Sequence, residues 1–218
     1  MQHPSGLNDR VVAKVVARRG RLHAHEHIDA KRTALVVIDL NAGSVAQNEN
    51  CQDMVPRVNT LAHAIRVRGG LVAWVTSHFE ATPSAVAIYG TDAARFVSET
   101  SNEAAQLWPD LHVEAADVHA VKRGASAFFP GKCDLHEKLA ERNIDTLLIC
   151  GTVTNVCVES SARDAAELGY RVTLISDACS GHANGLHEAT LNTFYRCFGD
   201  VRPTADAISL LEESRAAA

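Results

Sequence analysis

Five short apolar segments, each bounded by turn residues and spaced by stretches of helical periodicity, constrain this chain more than any other feature. Ala34-Leu35-Val36-Val37-Ile38 runs without a polar residue between Thr33 and Asp39. A strand with one wet face alternates apolar and polar residues. An unbroken apolar run belongs to a strand covered on both faces, as in a parallel sheet. Residues 71–76, 118–121, 146–150 and 171–176 read as further strands. Met54, Val58, Leu61, Ala62 and Ile65 follow the helix period, and Gly69-Gly70 stops that helix. Further helices are expected over 135–142, over 157–168 before Gly169, over 186–197 and over 205–213. Residues 79–116, with Pro83 and Gly90, form a long connection with some helix, of the kind that covers a site or makes an oligomer contact. Such β-α alternation implies an α/β protein whose parallel sheet carries helices on both faces.

A chain of 218 residues fits one such domain with a sizeable core. The domain is expected over 31–218, preceded by an N-terminal arm or short helix, residues 1–30, rich in Arg and His and lying outside the core domain. His23, His25 and His27 alternate in the arm, but nothing nearby completes a metal site, and they read as a solvated or partner-facing surface. The net charge of −5 and the lack of a Lys/Arg block argue against a nucleic-acid partner. The longest apolar runs fall far short of the roughly 20 residues that span a bilayer, so no membrane is expected, and no apolar secretory segment opens the chain. Six cysteines without a CxxC pair suggest neither a zinc finger nor a disulfide framework, which fits a reducing cytoplasm.

In open α/β sheets ligands bind beyond the carboxyl ends of the strands. Three chemically useful residues fall at such ends. Asp39 closes the first strand, Lys122 follows the third, and Cys157 follows the fourth after the turn Gly151-Thr152-Val153-Thr154-Asn155-Val156. Cys157 is read as opening a helix, where unpaired N–H groups and the helix dipole stabilise a thiolate. Together they supply a nucleophile, a base and a cation. The thiolate attacks a carbonyl, backbone N–H groups of the 151–157 turn hold the oxyanion, and Asp39 carries the proton to the leaving nitrogen.

The chain resembles the isochorismatase-like cysteine hydrolases. The resemblance spans roughly residues 32–212. It rests on Ala34-Leu35-Val36-Val37-Ile38-Asp39-Leu40-Asn41, on Lys122 with Ser126-Ala127-Phe128, on Gly151-Thr152-Val153-Thr154-Asn155-Val156-Cys157-Val158 and on Ser176-Asp177-Ala178. It implies a three-layer αβα sandwich with a six-stranded parallel sheet. It also implies an Asp39–Lys122–Cys157 triad and a cis peptide at Thr152–Val153 that turns the amides of Val153 and Cys157 into an oxyanion hole. Relatives are dimers or tetramers, so a homo-oligomer is expected. Some members bind a metal through an Asp-x-His motif beyond the second strand. Here that stretch reads Ser77-His78-Phe79-Glu80, so no metal and no cofactor is expected. Members that hydrolyse vinyl ethers can dispense with the cysteine. Cys157 therefore favours cleavage of a small amide, carbamoyl or ureido C–N bond over ether hydrolysis or a non-catalytic binding domain. Asn41, shorter than the Gln of many relatives, His78, Phe128 and His187 are the candidate substrate contacts. Phe128, with Phe129 and Trp74, reads as a possible apolar wall. The Gly124 to Gly131-Lys132 stretch lacks the spacing of a phosphate loop.

Overall fold

The computed structural model describes residues 6–100 and 102–214. Within them six strands form one sheet: β1 (Thr33–Ile38), β2 (Leu71–Ser77), β3 (Val118–Lys122), β4 (Thr146–Thr152), β5 (Arg171–Ser180) and β6 (Asp200–Arg202). All neighbours run parallel, in the order β3-β2-β1-β4-β5-β6. Every residue of β1 and β4 is buried, as their continuous apolar sequences require of strands covered on both sides. β3, at one edge, alternates instead: Val118, Ala120 and Lys122 are buried while His119 and Val121 are exposed.

The helices that connect the parallel strands sort into two layers, as a sheet covered on both faces requires. α1 (Asp9–Arg19) precedes the sheet, and α2 (Ala42–Ala46) and α3 (Glu49–Arg66) link β1 to β2. α4 (Pro83–Tyr89) and α5 (Asp92–Glu99) occupy the long connection to β3. α6 (Leu135–Ala140), α7 (Glu159–Glu167) and α8 (Asn184–Cys197) follow β3, β4 and β5, and α9 (Thr204–Ser214) follows β6. α3 and α9 pack together and against the sheet in one layer, and α7 and α8 pack together in the other. No helix among the described residues is long and apolar enough to cross a membrane.

Two expectations change. β6 was not anticipated from its own residues, because three residues are too few to show a period. The described part of the N-terminal segment is not outside the core. Leu7, Val15, Ile28 and Ala30 are buried in the same cluster as the sheet. Val11, Val12 and Val15 form a stripe on α1 that its Arg-rich composition hides, and Arg19 donates to the Tyr195 carbonyl of α8 at 3.0 Å. The strap that follows is held too: His23 Nδ1 lies 3.1 Å from the buried Asp200, and the carbonyls of His25 and His27 accept from Arg202 and Arg171.

Candidate active site

The strand order reverses between β1 and β4, the switch point beyond which open α/β sheets bind ligands. Asp39 stands on one side of it and the turn carrying Cys157 on the other. Asp39 has φ +54°, a left-handed conformation that costs a non-glycine residue about 1–3 kcal/mol unless its surroundings impose it. Here its N–H is tied to the Val75 carbonyl at 2.8 Å, which turns the side chain across the strand tips. On the β4 side Gly151 has φ +121°, and a Cβ there would sit 2.1 Å from the Ile38 carbonyl oxygen. Only glycine lets the two backbones approach so closely at the point where β4 bulges against β5.

The three residues expected to converge do so. Lys122 Nζ is 2.9 Å from Asp39 Oδ2 and donates to Cys157 Sγ at 3.3 Å. It also donates to the Gly124 carbonyl at 3.1 Å and to Ser77 Oγ at 2.7 Å. Ser77 in turn donates to Asp39 Oδ1 at 2.6 Å. Asp39 and Lys122 are buried, and Cys157 is half-buried. Burial works to lower the Lys122 ammonium, but the charge of Asp39 and the side-chain hydrogen bonds to Asp39 and Cys157 outweigh it and hold its pKa above the ordinary value. Lys122 is a fixed cation, not a base.

The state of Cys157 differs from the expected thiolate. Its pKa is pushed up to about 12, first by burial and then by the Asp39 charge, against which Lys122 works. Cys157 does not open an α-helix. It lies inside a single π turn, Thr154–Val158, and α7 begins only at Glu159. At rest the sulfur is a thiol. The peptide bond between Thr152 and Val153 is cis, and the Val153 carbonyl accepts from the N–H groups of Val156 and Val158. Ser161 braces the turn from below, donating to the Cys157 carbonyl at 2.6 Å and accepting from the Ala127 N–H at 3.0 Å.

The other candidates divide. His187 lies at the turn: its Nδ1 is 2.9 Å from the buried Thr154 hydroxyl, and burial, opposed by Glu188, lowers its pKa. His78 is exposed beside the site, and its backbone N–H bonds to the Lys122 carbonyl at 2.8 Å. Asn41 is buried, and its side-chain oxygen is committed as the cap of α2, accepting from Ser44 N–H at 2.8 Å. Phe128 is buried against Tyr170, ring centroids 5.7 Å apart. Trp74 is likewise core, its indole donating to Asp117 at 2.7 Å, and Phe129 is exposed. Among the described residues no group of three or more His, Cys, Asp or Glu is placed to hold one metal ion. Neither surface cavity lined by Leu7 and Asn192 or by His23 and Arg202 includes a triad residue.

Sequence reading missed Ser77, Thr154 and Ser161. Ser77 carried the same signal as Asp39, a polar residue at the carboxyl end of an apolar strand, and the β2–β3 register sets it directly beside Lys122.

The isochorismatase domain model matches residues 33–206. An uncharacterized isochorismatase family protein, YwoC of Bacillus subtilis, is 35% identical over 181 residues, covering 83% of this chain and 94% of that protein. A nicotinamidase of Escherichia coli is 37% identical over 91 residues, 37% of this chain and 43% of the enzyme. The crystal structure of a cysteine hydrolase from Pseudomonas syringae pv. phaseolicola superposes with a TM-score of 0.79 at 25% identity, covering 89% of this chain and 99% of that one. The match from β1 to α9, together with the six-stranded parallel sheet, makes this chain a member of the isochorismatase family.

Proposed function

We propose that this protein is a cysteine-dependent hydrolase that cleaves a small amide, carbamoyl or ureido C–N bond through an acyl-Cys157 intermediate. The observation that carries the reading is the contact of one buried ammonium with both partners, Asp39 at 2.9 Å and Cys157 at 3.3 Å. The partial likeness to a nicotinamidase, an amide hydrolase by name, supports it.

Because the resting sulfur is a thiol, deprotonation and attack proceed together. As Sγ bonds to the substrate carbonyl carbon, its proton passes to Asp39. Lys122 keeps all its protons and balances the negative charge that moves between carboxylate and sulfur. The N–H groups of Val153 and Cys157 receive the oxyanion. Collapse of the tetrahedral adduct breaks the C–N bond, and the proton held by Asp39 goes to the departing nitrogen, releasing ammonia or an amine. Water then gives a proton to Asp39 and its hydroxide to the acyl carbon. The product acid leaves and the thiol is restored. His187 and His78 border the site as substrate contacts. In this reading the protein acts in a reducing cytoplasm without metal or cofactor. It works as a dimer or tetramer, for which exposed Val86, Ile88 and Tyr89 of the long connection offer surface.

The test is ammonia release from a panel of primary amides and ureas. Wild-type protein is expected to release ammonia and Cys157→Ala to lose it by at least about a thousandfold. Undiminished release by the variant, or turnover of a vinyl ether without ammonia, would refute the reading.

A further inference from the structure

Lys122 has three N–H bonds to donate. Four acceptors surround it: Asp39 Oδ2, Ser77 Oγ, the Gly124 carbonyl and Cys157 Sγ, at 2.9, 2.7, 3.1 and 3.3 Å. The three N–H bonds are therefore shared among four acceptors. The sulfur, the most distant of the four and a weak acceptor while it is a thiol, holds the weakest share in the resting enzyme. Once sulfur begins to ionise it becomes a strong acceptor, and one of the other three must give up its lysine N–H bond to it. Ser77 is the acceptor that can release it without loss of order, since its own O–H still holds Asp39 Oδ1 at 2.6 Å.

We propose that Ser77 is a positioning residue. Its hydroxyl locks the Asp39 carboxylate from one side and gives the third lysine N–H a place to rest until the thiolate forms. This inference rests on the cysteine-hydrolase reading. Three strands meet in the device. β1 supplies the carboxylate, β2 the hydroxyl and β3 the ammonium, and the parallel register that sets Ser77 opposite Lys122 makes the ring of hydrogen bonds possible. The charged and titratable groups that face the ring are Asp39 from β1, Lys122 from β3 and Cys157 from the turn after β4.

Without the hydroxyl, Asp39 Oδ1 draws the third lysine N–H to itself. With Asp39 holding two of its donors and the Gly124 carbonyl the third, the ammonium is fully engaged and has no N–H to turn to the forming thiolate. Two readouts follow from Ser77→Ala and Ser77→Thr. The first needs no substrate: the rate at which iodoacetamide alkylates Cys157 at fixed pH, resolved by peptide mass spectrometry with exposed Cys197 as internal reference. Ser77→Ala is expected to slow Cys157 about tenfold, and Ser77→Thr, which keeps the hydroxyl on a strand that favours β-branched residues, to restore it. The second is kinetic, on the best amide of the panel: kcat falls about tenfold or more in Ser77→Ala with KM within about twofold, and recovers in Ser77→Thr. Wild-type alkylation and kcat in Ser77→Ala, or equal loss in both variants, overturns the role of Ser77. A wild-type protein inactive on every amide strikes the hydrolase reading instead, while the alkylation series still decides for or against Ser77.

Discussion

Asp39→Asn should affect the nucleophile in two opposite ways. The Cys157 thiol is raised from an ordinary 9.0 to about 12, by burial first and the Asp39 charge second. At pH 8 a shift of three units lowers the thiolate fraction about a thousandfold. A more basic thiolate is also more nucleophilic. With a Brønsted slope of about 0.4–0.5 this returns about fifteenfold to thirtyfold. Wild-type Cys157 should therefore react with iodoacetamide about thirtyfold to sixtyfold more slowly than an unperturbed thiol, with a rate that still climbs above pH 10. The substitution removes the negative charge 2.9 Å from Lys122 and leaves the thiolate as the anion facing that ammonium. Alkylation at pH 8 should rise by about tenfold or more while ammonia release disappears, because no group remains to take the thiol proton and pass it to the leaving nitrogen. Reactivity and turnover then part company; because unfolding would also expose the sulfur and end turnover, the comparison requires a variant whose thermal melt matches that of the wild type. A wild-type titration midpoint below about 8.5 would refute the reasoning, as would a fall in alkylation on Asp39→Asn.

Two further outcomes concern the frame of the site. Asp117, almost fully buried, accepts from Arg66 at 2.6 and 3.1 Å, from the Trp74 indole at 2.7 Å and from the Glu114 N–H at 2.8 Å. Burial works to raise its carboxyl, but these donors outweigh burial and hold it below the ordinary carboxylate value. A depressed acid contributes stability above its unfolded value of about 3.9 and loses it as pH falls through the folded one, so Asp117→Asn should cost about 2–4 kcal/mol near neutral pH in urea titrations and flatten the acid limb. Gly151→Ala should cost about 3 kcal/mol or more, lowering Tm by about 10 °C in a thermal melt, because the new methyl group meets the Ile38 backbone and φ stays at +121°. An unchanged Tm would show that β1 and β4 can separate at their tips.

Much of this arrangement was legible before any coordinates. The bare apolar runs at 34–38 and 146–150 required strands covered on both faces, and β1 and β4 are the central pair of the sheet. Asp39, Lys122 and Cys157 stood out because ionisable or nucleophilic residues end apolar strands, and the sheet rule says which end matters. The packing of Phe128 on Tyr170 was not legible, because an aromatic residue near a motif looks the same in sequence whatever it packs on. Nor was the capping role of Asn41, which depends on α2 starting at Ala42, a helix of five residues with no periodic signal.

What the amino-acid order determined alone was five of the six strands, and with them the three residues held at their tips. Periodicity and side-chain chemistry are properties of the chain taken a few residues at a time. Tertiary structure decided the protonation of the sulfur and the company of the lysine. A thiol at a turn reads as an activated nucleophile until folding brings a carboxylate to it and excludes water, and both changes favour the proton staying on. Ser77 gained its place in the same way, through a register between two strands that meet only in the folded sheet.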